Sequence, residues 1–414
     1  MSDKRPVVIY GANGFSGRLV AEFLREYNIP FIAAGRSRSR LEEVMNHVPG
    51  IETANYEVVE TTGSQEELVK LFAGAKVVCN TVGPFIYNGP RVIEAALEAG
   101  CHYLDIGGEQ AWLRKVSEKW GERFAKRGLL AAPATAFMSA VSDSAARLCL
   151  ERGAIDTLEI LTMFKGNPTF GSTQTIFAVI QTEAYYLEQN QYKPWPRATR
   201  YEVAVPGTIQ MQLALAWGGF PHPVWYKEHP EVANVRSFGG LLDRPIMEGI
   251  AATERVFEEQ IRPLSPVEQE KRLAEMASAV TGGTPPRENP REHRTIDVVV
   301  GRGSTDHVQC TVFGTCCYRQ TGLIQAFAAQ QLVRSAPRKV GFALAAEAFG
   351  AQEILRVLES RDEARKIKAR VHFLKHLICL DEDDGDNPSL QFFWPKAPTR
   401  RNRTGPTLTA TWIA

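Results

Sequence analysis

The first third of this sequence predicts an α/β fold, a doubly wound parallel sheet. Short β-rich apolar runs alternate with amphipathic helical runs from residue 6 to residue 133, glycines punctuate the joints, and a glycine-rich loop links the first run to the second. Pro6–Tyr10 reads as a buried parallel strand. Arg18–Tyr27 reads as a helix with Leu19, Val20, Phe23 and Leu24 on one face. Phe31–Ala34, Glu57–Val59, Lys76–Asn80, His102–Asp105 and Leu129–Ala132 supply five further strands. Between them Arg40–His47, Gln65–Phe72, Pro90–Ala99 and Trp112–Arg127 read as helices, the last two stopped by Gly100 and Gly128.

The alternation loosens after Pro133. Met138–Glu151, Thr173–Gln189, Ile246–Ile261, Gly322–Arg334 and Val340–Leu358 are expected helices, and Thr157–Phe164, Thr295–Gly301 and His307–Gly314 expected strands. Strand-like pieces rich in Gly, Pro and Trp fill Lys193–Pro245. Gly282–Arg294 reads as an exposed loop, and the acidic run Asp381–Asp386 and basic run Arg400–Arg403 as solvated tail.

At 414 residues the chain has room for two or three domains. A hydrophobic share of 44% and a net charge of +1 describe a globular protein with no electrostatic case for nucleic acid as a partner. Seven cysteines without a CxxC pair suggest reduced thiols and a cytoplasmic location, Cys316–Cys317 included. The apolar run at Val7 follows a short polar start, so no targeting segment is expected, and no run of 18 apolar residues suggests a transmembrane helix.

The main chemical signal is Gly11-Ala12-Asn13-Gly14-Phe15-Ser16-Gly17. Its GxxGxxG form is a variant of the Rossmann dinucleotide fingerprint: Gly11 permits the turn out of the strand, Gly14 lets backbone approach a diphosphate, and Gly17 lets the helix pack close. The helix then aims free N–H groups and its positive end at the phosphates. A plain strand–turn–helix is the other reading.

The end of the second strand bears on which dinucleotide binds. NAD sites place a carboxylate there, whereas this chain reads Arg36-Ser37-Arg38-Ser39-Arg40. Arg36 can fork onto a 2′-phosphate, with Ser37 and Arg38 beside it, which points to NADP. A basic first turn of a surface helix is the alternative. The fourth strand runs into Thr81-Val82-Gly83-Pro84, where a parallel sheet opens its carboxyl edge to a ligand; an ordinary strand-end turn would look the same.

The stretches IYGANGFSGRLVAEFL, AAGRSRSRLEEV, NTVGPFIYNGPRVIEAALEAGCHYLDIGGE and FGTCCYRQTGLIQAFAAQQL resemble the saccharopine dehydrogenase-like reductases, a family that includes trans-acting enoyl reductases. The resemblance covers about residues 5–145 well and 305–358 loosely. It implies a Rossmann NADP domain over 1–133, an inserted α+β substrate and dimerisation domain over 134–320, carboxyl-terminal helices over 321–375 returning to the first domain, and a tail over 376–414. It also implies hydride transfer from NADPH to a C=C or C=N bond of a small metabolite. The family's GFDSIPSD-like turn reads AFMSAVSD here, with Met138 and Val141 in place of the acid and the proline.

Reduction of such a bond calls for a proton donor. Tyr87, Asp105 and Tyr318 are the candidates, with Glu109 and Asn88 beside them; each tyrosine also reads as a packed side chain with a satisfied hydroxyl, and Asp105 as a turn cap. The expectation is an NADP(H)-dependent reductase, a homodimer, acting on an apolar enoyl, polyketide or imine-type metabolite. The apolar stretch around Trp217 and Trp225 points to such a substrate, with a dimer interface or core as the other readings. A saccharopine-type amino-acid dehydrogenase, an epimerase or lyase that recycles its cofactor, and an NADP-binding protein without turnover are the alternatives. No metal-ligand spacing or serine-hydrolase elbow is present.

Overall fold

A computed structural model describes residues 5–280, 292–361, 368–372 and 407–410. The first domain runs β1 (Val7–Tyr10), α1 (Phe15–Glu26), β2 (Phe31–Gly35), α2 (Arg38–Asn46), β3 (Tyr56–Glu60), α3 (Gln65–Phe72), β4 (Val77–Asn80), α4 (Phe85–Ala99), β5 (His102–Asp105), α5 (Gln110–Val116), α6 (Glu122–Lys126) and β6 (Leu130–Ala132). Helix α7 (Phe137–Leu150) leads into the second domain, which adds β7 (Thr157–Lys165), α8 (Phe170–Ile180), β8 (Tyr185–Glu188), β9 (Gln191–Pro194), β10 (Arg200–Val203), β11 (Gln212–Leu215), α9 (His222–Tyr226), β12 (Asn234–Leu241), α10 (Arg244–Val256), α11 (Pro266–Val280), β13 (Arg294–Arg302) and β14 (His307–Gly314). The chain ends with α12 (Cys317–Arg334), β15 (Gly341–Phe342), α13 (Ala345–Phe349), α14 (Ala351–Arg361), β16 (Lys368–His372) and β17 (Thr407–Ala410).

The first sheet has the order β15-β6-β5-β4-β1-β2-β3, and every pairing is parallel. This is the expected doubly wound sheet. The order reverses between β1 and β4, so their carboxyl ends open a crevice at the switch point. The fully buried Val7, Val8 and Ile9 of β1 explain its unbroken apolar run, since helices cover both faces. The second sheet is mixed, ordered β16-β14-β13-β7-β12-β11-β10-β17, with β8 paired to β12 and β9 to β8. Helix α7 packs on one face of it, while Leu161, Met163, Trp195, Tyr201 and Phe238 form a separate cluster.

Several expectations are corrected. Pro90 looks like a helix start, yet α4 begins one turn earlier, at Phe85, because a distant carboxylate caps it. Thr173–Gln189 is not one helix. It ends at Ile180, and Tyr185–Glu188 pairs with β9 instead, where Tyr186 packs on Trp195 at 4.8 Å. Val340–Leu358 is broken by β15 and by Gly350, whose φ of 93° ends α13. Helix α11 was not expected from its polar sequence, although Ser265 and Glu268 bond reciprocally as a capping box visible in the sequence.

Helix α12 packs on α1 and β15 extends the first sheet, whereas β16 joins the second sheet beside β14. Within 376–414, β17 pairs with β10 rather than lying free. The runs Asp381–Asp386 and Arg400–Arg403 and most of the 282–294 loop lie outside the described residues.

Candidate functional site

The glycine loop has little room except where a ligand would lie. Gly11 has φ +91°, and a Cβ there would stand 2.7 Å from Thr81 Oγ1 and from Val82 Cγ2. A Cβ at Gly17 would overlap the Gly11 carbonyl oxygen, which is how α1 comes so close to β1. Gly14 is exposed and would meet nothing but the Gly11 oxygen at 3.2 Å. The Gly11 and Ala12 amides bond to the Ala34 carbonyl, and Gly14 N–H bonds to Gly11 O. No side chain caps α1, so the first-turn amides of Phe15, Ser16 and Gly17 have no helical acceptor. An open, positively polarised cradle of this kind suits a diphosphate. Asn13 reaches across to β2, where Gly35 leaves the space: a Cβ there would lie 2.9 Å from Asn13 Oδ1. Gly35 did not stand out in the sequence as part of the site.

At the end of β2, Arg36 and Arg38 are exposed. Ser37 is the N-cap of α2, its hydroxyl 3.4 Å from Arg40 N, so it serves the helix rather than standing free as a donor. Arg38 donates from its backbone N to Glu60 and from its guanidinium to Glu42 at 3.4 Å. Burial raises the Tyr10 phenol while Arg91 and Arg36 pull it back, so both cations act on the last residue of β1. Nothing in the pattern of the sequence marked Arg91, on α4.

Thr81 stitches β4 to the loop, donating to the Tyr10 and Gly11 carbonyls, each at 3.0 Å. Val82, Gly83 and Pro84 follow, with a cis Gly83–Pro84 bond. Asp105 is fully buried and accepts from Tyr103 OH (2.9 Å), Trp112 Nε1 (2.7 Å), Gly107 N (2.9 Å) and Ala134 N (3.0 Å). Burial pushes it up to about 6 against those bonds. Four donors occupy the carboxylate, so it ties β5 to the loops after β5 and β6. Glu109, 2% exposed, accepts from Phe85 N at 2.6 Å and Ile86 N at 2.7 Å; burial, opposed by these bonds, pushes it up to about 7.

The two tyrosines grip opposite ends of α8. Tyr318 OH accepts from Thr169 N and donates to Ser172 Oγ, both at 2.9 Å, and its ring meets Phe15 of the glycine loop at 5.2 Å. Tyr87 OH donates to Gln181 Oε1 at the other end. Burial pushes Tyr87 up to about 12 and raises Tyr318 as well, so both stay protonated at neutral pH. Between them Thr175 sits over the switch point, 3.1 Å from where a Gly83 Cβ would be. Helix α8 therefore lies against the Gly83–Pro84 turn, held at its ends by Tyr318 and Tyr87.

Ser142, on α7, bonds His222 Nε2 at 3.0 Å, and His222 Nδ1 meets Ser237 Oγ at 3.0 Å. All three are fully buried, and burial drives His222 down to about 3. The trio is a neutral tie between α7, α9 and β12. Trp225 packs against Phe342, whereas Trp217 lines a cavity of about 130 Å³ behind α8, with Ile176, Val179, Trp195 and Leu215. Among the described residues no His, Cys, Asp and Glu cluster suits a metal, and no helix is long and apolar enough to cross a membrane.

The saccharopine dehydrogenase NADP binding domain matches residues 7–131, and a family of unknown function, DUF5938, matches residues 140–365. The lipid droplet localized protein of Caenorhabditis elegans is 34% identical over 145 residues, 33% of this chain and 34% of that protein. The human saccharopine dehydrogenase-like oxidoreductase is 32% identical over 161 residues, 34% of this chain and 37% of its own length. The trans-acting enoyl reductase of Mycobacterium leprae is 34% identical over 146 residues, 34% of this chain and 35% of its own. These matches span about a third of each curated relative. The fold as a whole is that of apo saccharopine dehydrogenase (L-Glu forming) from Saccharomyces cerevisiae, with TM-score 0.58 and 11% identity over 89% of this chain and 100% of that one. With more than half its length matched, the chain belongs to the DUF5938 family, and it carries an NADP-binding domain of the saccharopine dehydrogenase type in its first third.

Proposed function

We propose that the protein is an NADP(H)-dependent reductase that delivers hydride to a C=C or C=N bond of a small, apolar metabolite of the enoyl or imine type. The cradle of first-turn amides at Phe15, Ser16 and Gly17, with Arg36 and Arg91 both acting on Tyr10 at the end of β1, carries this reading. The names of the relatives, an oxidoreductase and an enoyl reductase, support it.

Bound NADPH would supply the hydride from its nicotinamide. The α1 amides hold the diphosphate, and Arg36, with Arg38 and Arg91 near, neutralises the 2′-phosphate. Thr81, Val82, Gly83 and Pro84 border the nicotinamide side, with α8 against the turn. Phe15, packed on Tyr318, and the partly buried Val82, Ile86 and Met138 would offer the crevice apolar surface that suits an apolar substrate. Tyr318, protonated and bonded to Ser172 next to Phe15, is the proton donor of this proposal, while Asp105 and Tyr87 hold the scaffold.

Six buried cysteine thiols among the described residues support a reducing, cytoplasmic setting. Exposed Phe170, Leu264, Val267 and Val280, on and next to the packed pair α8 and α11, support a homodimer.

The engagement of all three candidate acids in internal hydrogen bonds favours a second reading, an NADP-binding protein without turnover. NADPH oxidation with a panel of enoyl thioesters, cyclic imines and amino-acid-derived imines separates the two. Turnover on any member supports the reductase; tight NADPH binding with turnover on none favours the second reading.

A further inference from the structure

Glu109 and Gln110 are neighbours, 2% and 1% exposed, and they reach in different directions. Glu109 grips the Phe85 and Ile86 amides that follow the Gly83–Pro84 turn. Gln110 grips the second domain: its Nε2 donates to Gly219 O (2.7 Å), Tyr185 O (2.9 Å) and Phe220 O (3.0 Å), and its Oε1 accepts from Tyr185 N (2.8 Å). The segment it holds is strained. Trp217, Gly218, Gly219 and Phe220 have φ of 45°, 67°, 94° and 55° in succession, and two of them are bulky aromatics. Such a backbone persists only where its surroundings over-determine it. Trp217 and Gly218 also wall the cavity behind α8.

We propose that Glu109 and Gln110 act as paired positioning residues, holding the Gly83–Phe85 turn of the cofactor domain and the Trp217–Phe220 turn of the second domain in one register, so that cofactor occupancy and the shape of the second-domain cavity are coupled. This rests on the reading that NADP(H) occupies the crevice. Asp105 and Tyr103 from β5 and Tyr87 from α4 face Glu109 and act on it electrostatically or are acted on by it. Protonation of Glu109 as pH falls through neutrality removes one of its two acceptors and loosens the turn.

The test uses full-length wild type, Glu109→Gln and Gln110→Ala. NADPH affinity is measured by titration calorimetry on either side of neutral pH, and amide hydrogen exchange is followed at residues 83–88 and 217–222. Gln110→Ala is expected to weaken NADPH binding about three- to thirtyfold, although Gln110 bonds only to the second domain. Glu109→Gln is expected to weaken it similarly above neutrality, with the ratio to wild type approaching one at acid pH; the 2′-phosphate's own ionisation cancels in that ratio. NADPH should slow exchange at 217–222 in wild type. Unchanged exchange there on NADPH binding, or wild-type affinity in Gln110→Ala, overturns the proposal. Should wild type bind no NADPH, the parent reading fails. The positioning claim then stands only if each variant speeds exchange in the segment gripped by the other residue. Should Gln110→Ala fail to fold, the wild-type exchange experiment decides.

Discussion

Gly17 meets Gly11 backbone to backbone: a Cβ at Gly17 would overlap the Gly11 carbonyl oxygen and lie 2.8 Å from Ala12 Cα. Neither obstacle is the end of a flexible side chain, so the backbone would have to move. Gly17→Ala is therefore expected to cost about 1–3 kcal/mol, as overpacking does, and to weaken NADPH binding. Gly108, where a Cβ would meet nothing within 4 Å, is the control: Gly108→Ala should stay within about 0.5 kcal/mol of wild type. Urea unfolding of the three proteins checks this, and equal stability of Gly17→Ala would remove the close-packed loop from the account.

Asp297 makes stability fall as pH rises. It is fully buried on β13, with Thr162 donating to it at 2.8 Å, and burial pushes it up to about 8. Between its unfolded value near 4 and that folded value, the native state keeps a proton that the unfolded chain releases. Stability then declines by up to about 1.4 kcal/mol per pH unit from this group. Asp105 and Asp143, each pushed up to about 6 by burial, act in the same sense over a lower window. Asp297→Asn should flatten the decline and be the more stable protein in mild alkali. Denaturant titrations at about pH 5 and about pH 8 would show it, and parallel slopes for variant and wild type would contradict it.

Tyr318 and Tyr87 should separate kinetically. Once a substrate is found, Tyr318→Phe is expected to lower kcat by about a hundredfold or more, with NADPH affinity little changed. Tyr87→Phe, which loses a bond to Gln181 at the far end of α8, should keep most of its turnover. Similar small losses in both would make Tyr318 a second clip on α8 and nothing more.

Asp105 should prove structural. Replacing its carboxylate by an amide faces a donor with the N–H of Trp112 or the amides of Gly107 and Ala134. Asp105→Asn is expected to lose about 1–3 kcal/mol of stability, visible as a lower Tm, in proportion to any loss of NADPH binding.

The parts of the fold legible in the sequence are those set by local geometry. Gly11, Gly14 and Gly17 are spaced by the turn itself, and β1, β2 and β6 show their burial in unbroken apolar runs. What the sequence hid depends on groups brought from afar. The start of α4 is fixed by Glu109, about two dozen residues downstream, while Pro90 offered a stronger local signal. Arg91, on α4, acts on Tyr10 together with Arg36 although about 55 residues separate the two arginines. The clip from Tyr318 to Thr169 spans roughly 150 residues and depends on α12 returning to α1. The second sheet is non-local for the same reason: β7 pairs with β12 and β13, and no periodicity in any one strand announces its partner.

We propose that this crevice selects a dinucleotide by its extra phosphate. The most direct measurement is the pair of dissociation constants for NADPH and NADH, taken at one fixed salt concentration, for wild type and Arg36→Glu. Wild type should prefer NADPH, and the variant should lose about ten- to a hundredfold in NADPH affinity with NADH binding nearly unchanged. Equal affinities in wild type, or a variant that binds NADPH as wild type does, would contradict it.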